Sequence, residues 1–275
     1  MRRLLIRPGA IGDFIVSLPA LECLRADYLE VWTSAANVPL ARFADRARSI
    51  ASTGLDLLEL TGPTPVLLST LRGFDSIVSW YGASRAEFRD SVRQLGLPFQ
   101  FLPALPAANA GIHAVDFYLR QVRSLADCPS CATPRILTPV AARERFAVIH
   151  PFSGSRQKCW PIARFRELAA LLEKRMPVEW CAGPEEELAE AKRFGDLYEL
   201  ACWLATACVY VGNDSGPTHL AAAVGTPVVA LFGPSNAVVW APRGPEIAVV
   251  AGPSMESITI RQVESVVRRM LSGVR

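Results

Sequence analysis

Lysine is almost missing from this chain. Lys158, Lys174 and Lys192 are the only three, and arginine supplies the rest of the 29 basic residues. Base composition explains such a bias, yet it draws the eye to each lysine, because ammonium and guanidinium differ in geometry and hydration. Surplus charge is also missing: the formal net charge is +3. Up to residue 142 there are 14 basic and 12 acidic residues, and after it 15 and 14. Neither half is a polycation, which argues against a nucleic-acid partner. No apolar run approaches the ~18 residues of a membrane-spanning helix. Arg2-Arg3 before Leu4-Leu5-Ile6 imitates a signal peptide, but Arg7, Pro8 and Asp13 interrupt the stretch and no cleavage-like site closes it. The sequence therefore predicts a cytoplasmic protein. It has no internal repeat and no low-complexity segment.

Three absent motifs narrow the chemistry. There is no Asp-x-Asp pair of the kind that holds the metal in one common class of sugar-nucleotide site. The first glycine loop lacks Gly-x-Gly-x-x-Gly, so the dinucleotide fingerprint is missing, and loop 153–161 does not follow the P-loop pattern. Seven cysteines, at 23, 128, 131, 159, 181, 202 and 208, are present in an odd number. Cys128-Pro-Ser-Cys131 has no second pair and no nearby histidine pair, whereas structural zinc takes four ligands. The thiols read as reduced, and no metal site is expected.

What the sequence does contain is an ample core, with 51% hydrophobic residues over 275 positions, and a strand–helix alternation. Strands are expected at 4–6, 29–32 and 77–80, with helices at 14–25 and 38–43. Prolines at 98, 103, 106, 129, 134 and 139 punctuate the middle, although 113–125 has helical spacing. The alternation then restarts, with strands at 146–150, 178–181, 209–211 and 227–232. Helices are expected at 162–174, 185–194, 202–207, 218–224 and 260–271. This predicts an α/β protein of two Rossmann-like domains with parallel sheets, 1–142 and 143–275.

In such sheets ligands bind outside the carboxyl ends of the strands. The richest end is Gly212-Asn-Asp-Ser-Gly-Pro-Thr-His219. Backbone N–H groups at that helix start suit a phosphate, and Asp214 suits sugar hydroxyls; alternatively Asp214 or Ser215 merely caps the helix. In the loop Ser153-Gly154-Ser155-Arg-Gln-Lys158, small donors precede a compact positive charge suited to diphosphate, unless Lys158 is simply solvated. Gly12-Asp13 opens the first helix, where Asp13 either complements the dipole or acts as a general base. Glu185-Glu186-Glu187 suits a helix N-terminus or a ribose. His113 and His150 have no metal-spaced partners.

Together these segments resemble glycosyltransferase family 9, the ADP-heptose:lipopolysaccharide heptosyltransferases. The resemblance is carried by Ile6-Arg-Pro-Gly-Ala-Ile-Gly-Asp13, Ser17-Leu-Pro-Ala-Leu, Lys158-Cys-Trp-Pro161 and Ala182-Gly-Pro-Glu-Glu186. It continues through Gly212–Ala223, Gly225-Thr-Pro227, Leu231-Phe-Gly-Pro234 and Trp240-Ala-Pro-Arg-Gly244. It implies a GT-B architecture whose sheets face an interdomain cleft, with the acceptor on the N-terminal domain and the donor on the C-terminal one. The closing helix 260–271 is allowed to pack back on the N-terminal domain. It implies inverting, metal-independent transfer, without a cofactor, from a nucleotide-sugar donor such as ADP-heptose to a glycan or glycolipid acceptor. At most it implies peripheral inner-membrane association. By the same resemblance Asp13 is the base, and Lys158 neutralises the leaving diphosphate with Ser153 and Gly154. Glu186 meets the ribose, Asp214 the donor sugar, and Ser215, Gly216, Thr218 and His219 line the phosphate-binding turn. Gly12 and Arg42, the latter in a modest basic group with Arg46 and Arg48, fall to the acceptor. The family's N-terminal half is usually longer, the shortening falling around 45–75 and 82–112. That departure keeps a non-catalytic nucleotide-sugar-binding protein, or an epimerase or hydrolase on the same scaffold, in view.

Overall fold

The computed structural model describes residues 1–107 and 111–273. They form two compact units, 1–107 with 114–132 and 111–113 with 133–273.

The first unit runs β1 (Arg2–Ile6), α1 (Ile11–Cys23), β2 (Tyr28–Thr33), β3 (Arg46–Ser49), α2 (Leu58–Thr61), α3 (Pro65–Arg72), β4 (Ser76–Ser79), α4 (Ala86–Gln94), β5 (Phe99–Phe101) and α5 (Ala114–Val122). Its sheet is parallel throughout, in the order β3-β2-β1-β4-β5. Strand side chains alternate between faces. Leu4, Ile6, Trp32 and Ile77 join one core with Leu67, Leu71, Phe88 and Val92 of α3 and α4. Leu5, Val31 and Val78, also fully buried, point the other way, towards the layer in which α1 and α5 pack together.

The second unit runs β6 (Glu144–His150), α6 (Ile162–Glu173), β7 (Val178–Trp180), α7 (Leu197–Thr206), β8 (Ala207–Asn213), α8 (Gly216–Ala223), β9 (Val228–Phe232), α9 (Ala237–Trp240), β10 (Ile247–Ala251) and α10 (Ile260–Gly273). This sheet is also parallel, ordered β10-β9-β8-β6-β7. Ala147, Ile149, Val209, Val211, Val229 and Leu231 share one core with Phe165, Leu168 and Leu172 of α6 and Val263, Val267 and Met270 of α10. The i, i+4, i+7 stripe of α10 thus packs on its own sheet.

Each strand order reverses beside its first strand, between β1 and β4 and between β6 and β8. Such a reversal splays the two flanking crossovers apart and leaves a crevice at the carboxyl ends, where ligands of open α/β sheets bind. The loops after β1, β6 and β8 are those that stand out in the sequence.

Several expected elements are corrected. The helix at 38–43 is instead a 3-10 segment, Ala35–Leu40, with Pro39 inside it; proline supplies no N–H for an α-helical bond. The helix at 185–194 does not form. Lys192 pairs with Cys181 as a one-residue extension of the sheet edge, its N–H donating to Trp180 O at 2.8 Å. Arg193 Nη2 meanwhile donates to Glu186 O at 2.6 Å, so the carbonyl that a helix would use is taken. The helix at 202–207 begins earlier, at Leu197, because Asp196 caps it by accepting from Tyr198 N and Glu199 N at 2.7 and 2.9 Å. β3, β5, β10, α3 and α4 lie outside the sequence expectations. No described helix is long and apolar enough to cross a membrane.

Phe165 is fully buried and meets Trp160 edge-on, with ring centroids 4.9 Å apart. Phe165→Ala is expected to cost the second unit about 3–5 kcal/mol, read as a lowered denaturant midpoint.

Candidate functional site

In the second unit the site grows from the carboxyl ends of β6 and β8. Asn213, at the end of β8, is fully buried and ties the two loops together. Its Nδ2 donates to Pro151 O at 2.8 Å, and its Oδ1 accepts from Trp160 N at 3.0 Å. Trp160 is itself pinned by an Nε1 bond to Ile258 O at 2.9 Å. This sets loop 151–161 against the start of α8. Ser153 Oγ then donates to Asp214 O at 2.7 Å, and Lys158 Nζ to Asp214 Oδ2 at 2.8 Å. Asp214 is 9% exposed and Lys158 38%, so the ammonium keeps a solvent-facing side while its partner is largely sequestered. Gly154 is exposed, and a Cβ there would meet nothing within 4 Å.

The turn into α8 is uncapped. Ser215 occupies the N-cap position without a side-chain cap bond; its Oγ lies 3.1 Å from Thr218 Oγ1, which donates to Asn213 O. With Asp214 committed to Lys158, the capping reading fails for both residues. The first-turn N–H groups of Gly216 and Thr218 are free of side-chain caps, at the positive end of the helix dipole. Pro217 fixes that first turn. Gly212 is required here for packing: a Cβ would sit 2.6 Å from Tyr210 Oη, and that hydroxyl meets Thr218 Oγ1 at 3.2 Å.

His219, buried one helical turn into the same cluster, has its pKa pushed down to about 4. Desolvation is the main cause; Asp214 opposes it, while His113 and Lys158 reinforce it. His113 is anchored by Nε2 at 2.8 Å from Ala241 O. Beside the cluster, His150 ends β6 with Nε2 3.1 Å from Glu186 Oε2, and Gly183 N–H donates to the same oxygen at 2.6 Å. Burial alone would raise the Glu186 carboxyl, but the bonds from His150 and Gly183 hold it below the usual glutamate value.

The first unit carries the other expected residues. Gly12 and Asp13 lie in the first turn of α1, half-buried, and Asp13 is not the cap, which falls at Ala10. The preceding loop is held by side chains that sequence reasoning did not single out. Arg7 is buried and its guanidinium donates to Pro8 O at 2.8 Å, Asp13 O at 3.1 Å and Tyr118 Oη at 2.7 Å. Asn37 and Ser34 hold Gly9 O at 3.0 and 2.9 Å, and Gly9 adopts φ +146°, a backbone region that favours glycine. These bonds tie the loop down, and the Asp13 carboxylate accepts no hydrogen bond from a described residue. An arginine directly after a buried strand was a legible signal; Tyr118, about a hundred residues away, offered none. Arg42 is exposed beyond the carboxyl end of β2, and Arg48 is engaged with Glu30 at 2.8 Å. Among the described residues no group of three or more His, Cys, Asp or Glu side chains is arranged to hold a metal ion.

His219 binds a proton in the unfolded chain near pH 6.5 but in the folded one only near 4. The folded state therefore loses stability as pH falls through that window, on the order of 3 kcal/mol by pH 4. His219→Gln is expected to flatten this part of a chemical-denaturation pH profile, and an unchanged slope would remove His219 as its source.

Comparisons place this geometry in context. Residues 110–267 match the model of glycosyltransferase family 9 (heptosyltransferase). Lipopolysaccharide heptosyltransferase 3 of Escherichia coli K12 is 31% identical over 144 residues, covering 46% of this chain and 42% of the relative. The matched region thus spans less than half the length of that curated relative. Among solved structures, E. coli heptosyltransferase WaaC with ADP shares 18% identity at TM-score 0.71, over 98% of this chain and 100% of that one. E. coli ADP-heptose lps heptosyltransferase II shares 18% at TM-score 0.76, over 99% of each chain. At such identity these likenesses establish the α/β fold of two parallel-sheet units. With the family model covering more than half of the sequence and the Gly212–His219 turn inside the matched region, this chain belongs to glycosyltransferase family 9.

Proposed function

We propose that the chain transfers a sugar from a nucleoside-diphosphate donor, ADP-heptose by family, to a hydroxyl of a lipopolysaccharide core or related glycan. The observation that carries the reading is the Lys158–Asp214 pair beside the uncapped start of α8, at the strand-order reversal of the second sheet. It brings one partly exposed positive charge, one carboxylate and two unsatisfied backbone N–H groups to one place, which suits a diphosphate linked to a polyol. The solved relative that carries ADP makes an adenine nucleotide the first donor to test.

In this proposal the bond between the anomeric carbon and the diphosphate breaks as the acceptor oxygen attacks from the opposite face, inverting the centre. Asp13 takes the acceptor proton; its hydrogen-bonded loop and unengaged carboxylate support that role. The diphosphate leaves with one further negative charge developing on the oxygen that was bonded to the anomeric carbon. Lys158, Ser153 and the N–H groups at Gly216 and Thr218 stabilise it, Gly154 allowing close approach. Once Lys158 turns to phosphate, Asp214 is released to accept from sugar hydroxyls. His219, neutral at pH 7 because of its burial, adds a polar wall without a competing charge. Glu186 takes the ribose. Gly12 and Arg42 are assigned to the acceptor, and a lipid-borne acceptor brings the chain to the membrane surface only peripherally.

Titration calorimetry with ADP, followed by transfer assays with a panel of nucleotide sugars and lipopolysaccharide-core acceptors, tests the reading. Asp13→Ala is expected to lower transfer by about 10²–10⁴-fold with ADP affinity unchanged. Lys158→Ala is expected to weaken both ADP binding and turnover, and a chelator to leave turnover unaffected. ADP binding without transfer points to a non-catalytic binding protein, and turnover without acceptor to a hydrolase or epimerase. No ADP binding at millimolar ligand by folded protein defeats the proposal.

A further inference from the structure

His150 is buried at the end of β6, its side chain 4% exposed, and Phe152 meets its ring edge-on with centroids 5.9 Å apart. Its Nδ1 is buried with no hydrogen-bond partner. A buried polar atom left unpaired carries a cost that an apolar side chain at the same strand position would avoid. The other ring nitrogen supplies a reason for the imidazole: Nε2 faces Glu186 Oε2 at 3.1 Å, and facing a carboxylate it carries the proton. Gly183 N–H adds a second donor to that same oxygen. Arg193 fixes the Glu186 backbone by binding its carbonyl oxygen. The two protein donors to the carboxylate therefore converge on Oε2, and Oε1 accepts from no described residue. Glu186 remains 28% exposed, so that second oxygen can be reached by a ligand at the carboxyl ends of β6 and β7.

We infer that His150 is a positioning residue for ribose recognition: by fixing Oε2 it presents Glu186 Oε1 to a ribose hydroxyl and so sets a preference for ribonucleoside over deoxyribonucleoside diphosphates. The inference rests on the donor reading above and adds to it a residue that touches no ligand. A hydroxyl bonded to a carboxylate held in one orientation is worth about tenfold or more in affinity. A carboxylate free to rotate spends that gain on ordering itself, and the discrimination disappears although Glu186 is still present.

The test compares ADP, 2′-deoxy-ADP and 3′-deoxy-ADP by titration calorimetry on the full chain. Wild type is expected to bind one of the deoxy analogues about tenfold or more weakly than ADP. In His150→Leu, ADP affinity is expected to fall to within about twofold of that analogue, whose own affinity stays nearly constant; a general packing defect would instead weaken all three ligands alike. His150→Gln, whose amide nitrogen reaches the place of Nε2, is expected to restore most of the preference. Should the leucine variant not fold, His150→Asn serves, because its shorter amide cannot reach Glu186 and the same collapse is required. Discrimination that persists in His150→Leu or His150→Asn overturns the inference, as does a wild type that binds ADP with no ribose preference. A wild type that binds no ADP overturns the donor reading and this inference with it.

Discussion

A strand buried on both faces has no side at which to offer polar groups, so it delivers them at its ends. β1 and β6 are such strands, with Leu4, Leu5 and Ile6 and Ala147, Val148 and Ile149 all fully buried. Each lies beside the point where its sheet reverses order, so the loop that leaves it is flanked by crossovers that diverge. This constraint places Arg7–Asp13 at one crevice and Pro151–Trp160, with the turn into α8, at the other. The chemistry then follows from how tightly each loop is held. Arg7 and its three oxygen partners fix the first, and Asn213 fixes the second through both ends of its amide.

Rigidity and readiness are separated within the second site. Asn213, Trp160, Tyr210 and Thr218 are buried and mutually satisfied, and they form a frame. Lys158, by contrast, remains more than a third exposed on a single ion pair. Solvent screens an ion pair of that exposure, and its net strength is modest, so exchanging a carboxylate partner for a phosphate is not prevented by the pair itself. The buried histidine follows the opposite rule: His219 is kept neutral because the frame desolvates it. One polar cluster therefore holds a charge that can be redirected and an imidazole that stays uncharged at neutral pH.

The family model and the solved relatives bear on different parts of this picture. The model match runs from residue 110 to 267 and covers most of the second unit, where the signature turn lies. The structural likeness extends over nearly the whole chain, including the first unit with its Arg7 clamp. Membership rests on the first of these and architecture on the second.

Much of this was legible in the sequence. Apolar runs of strand length ending in glycine-rich loops marked β1, β6, β8 and β9, and the order Gly212-Asn-Asp-Ser-Gly-Pro-Thr-His219 marked the turn that matters. Short or weakly apolar elements, β3, β5 and α4, were not legible, because periodicity over three to nine residues is too brief to separate from loop. The helix expected at 185–194 failed for a tertiary reason: Lys192 completes a sheet edge and Arg193 takes the Glu186 carbonyl. Residue identity by itself determined which groups were available, namely an aspartate after the first strand, one lysine in the second loop, and a glycine–proline helix start. Only the tertiary structure decided their engagements, pairing Lys158 with Asp214, His150 with Glu186 and Arg7 with Tyr118 across 56, 36 and 111 positions. Those pairings arise because parallel crossovers bring distant strand ends side by side, a proximity that no local pattern encodes.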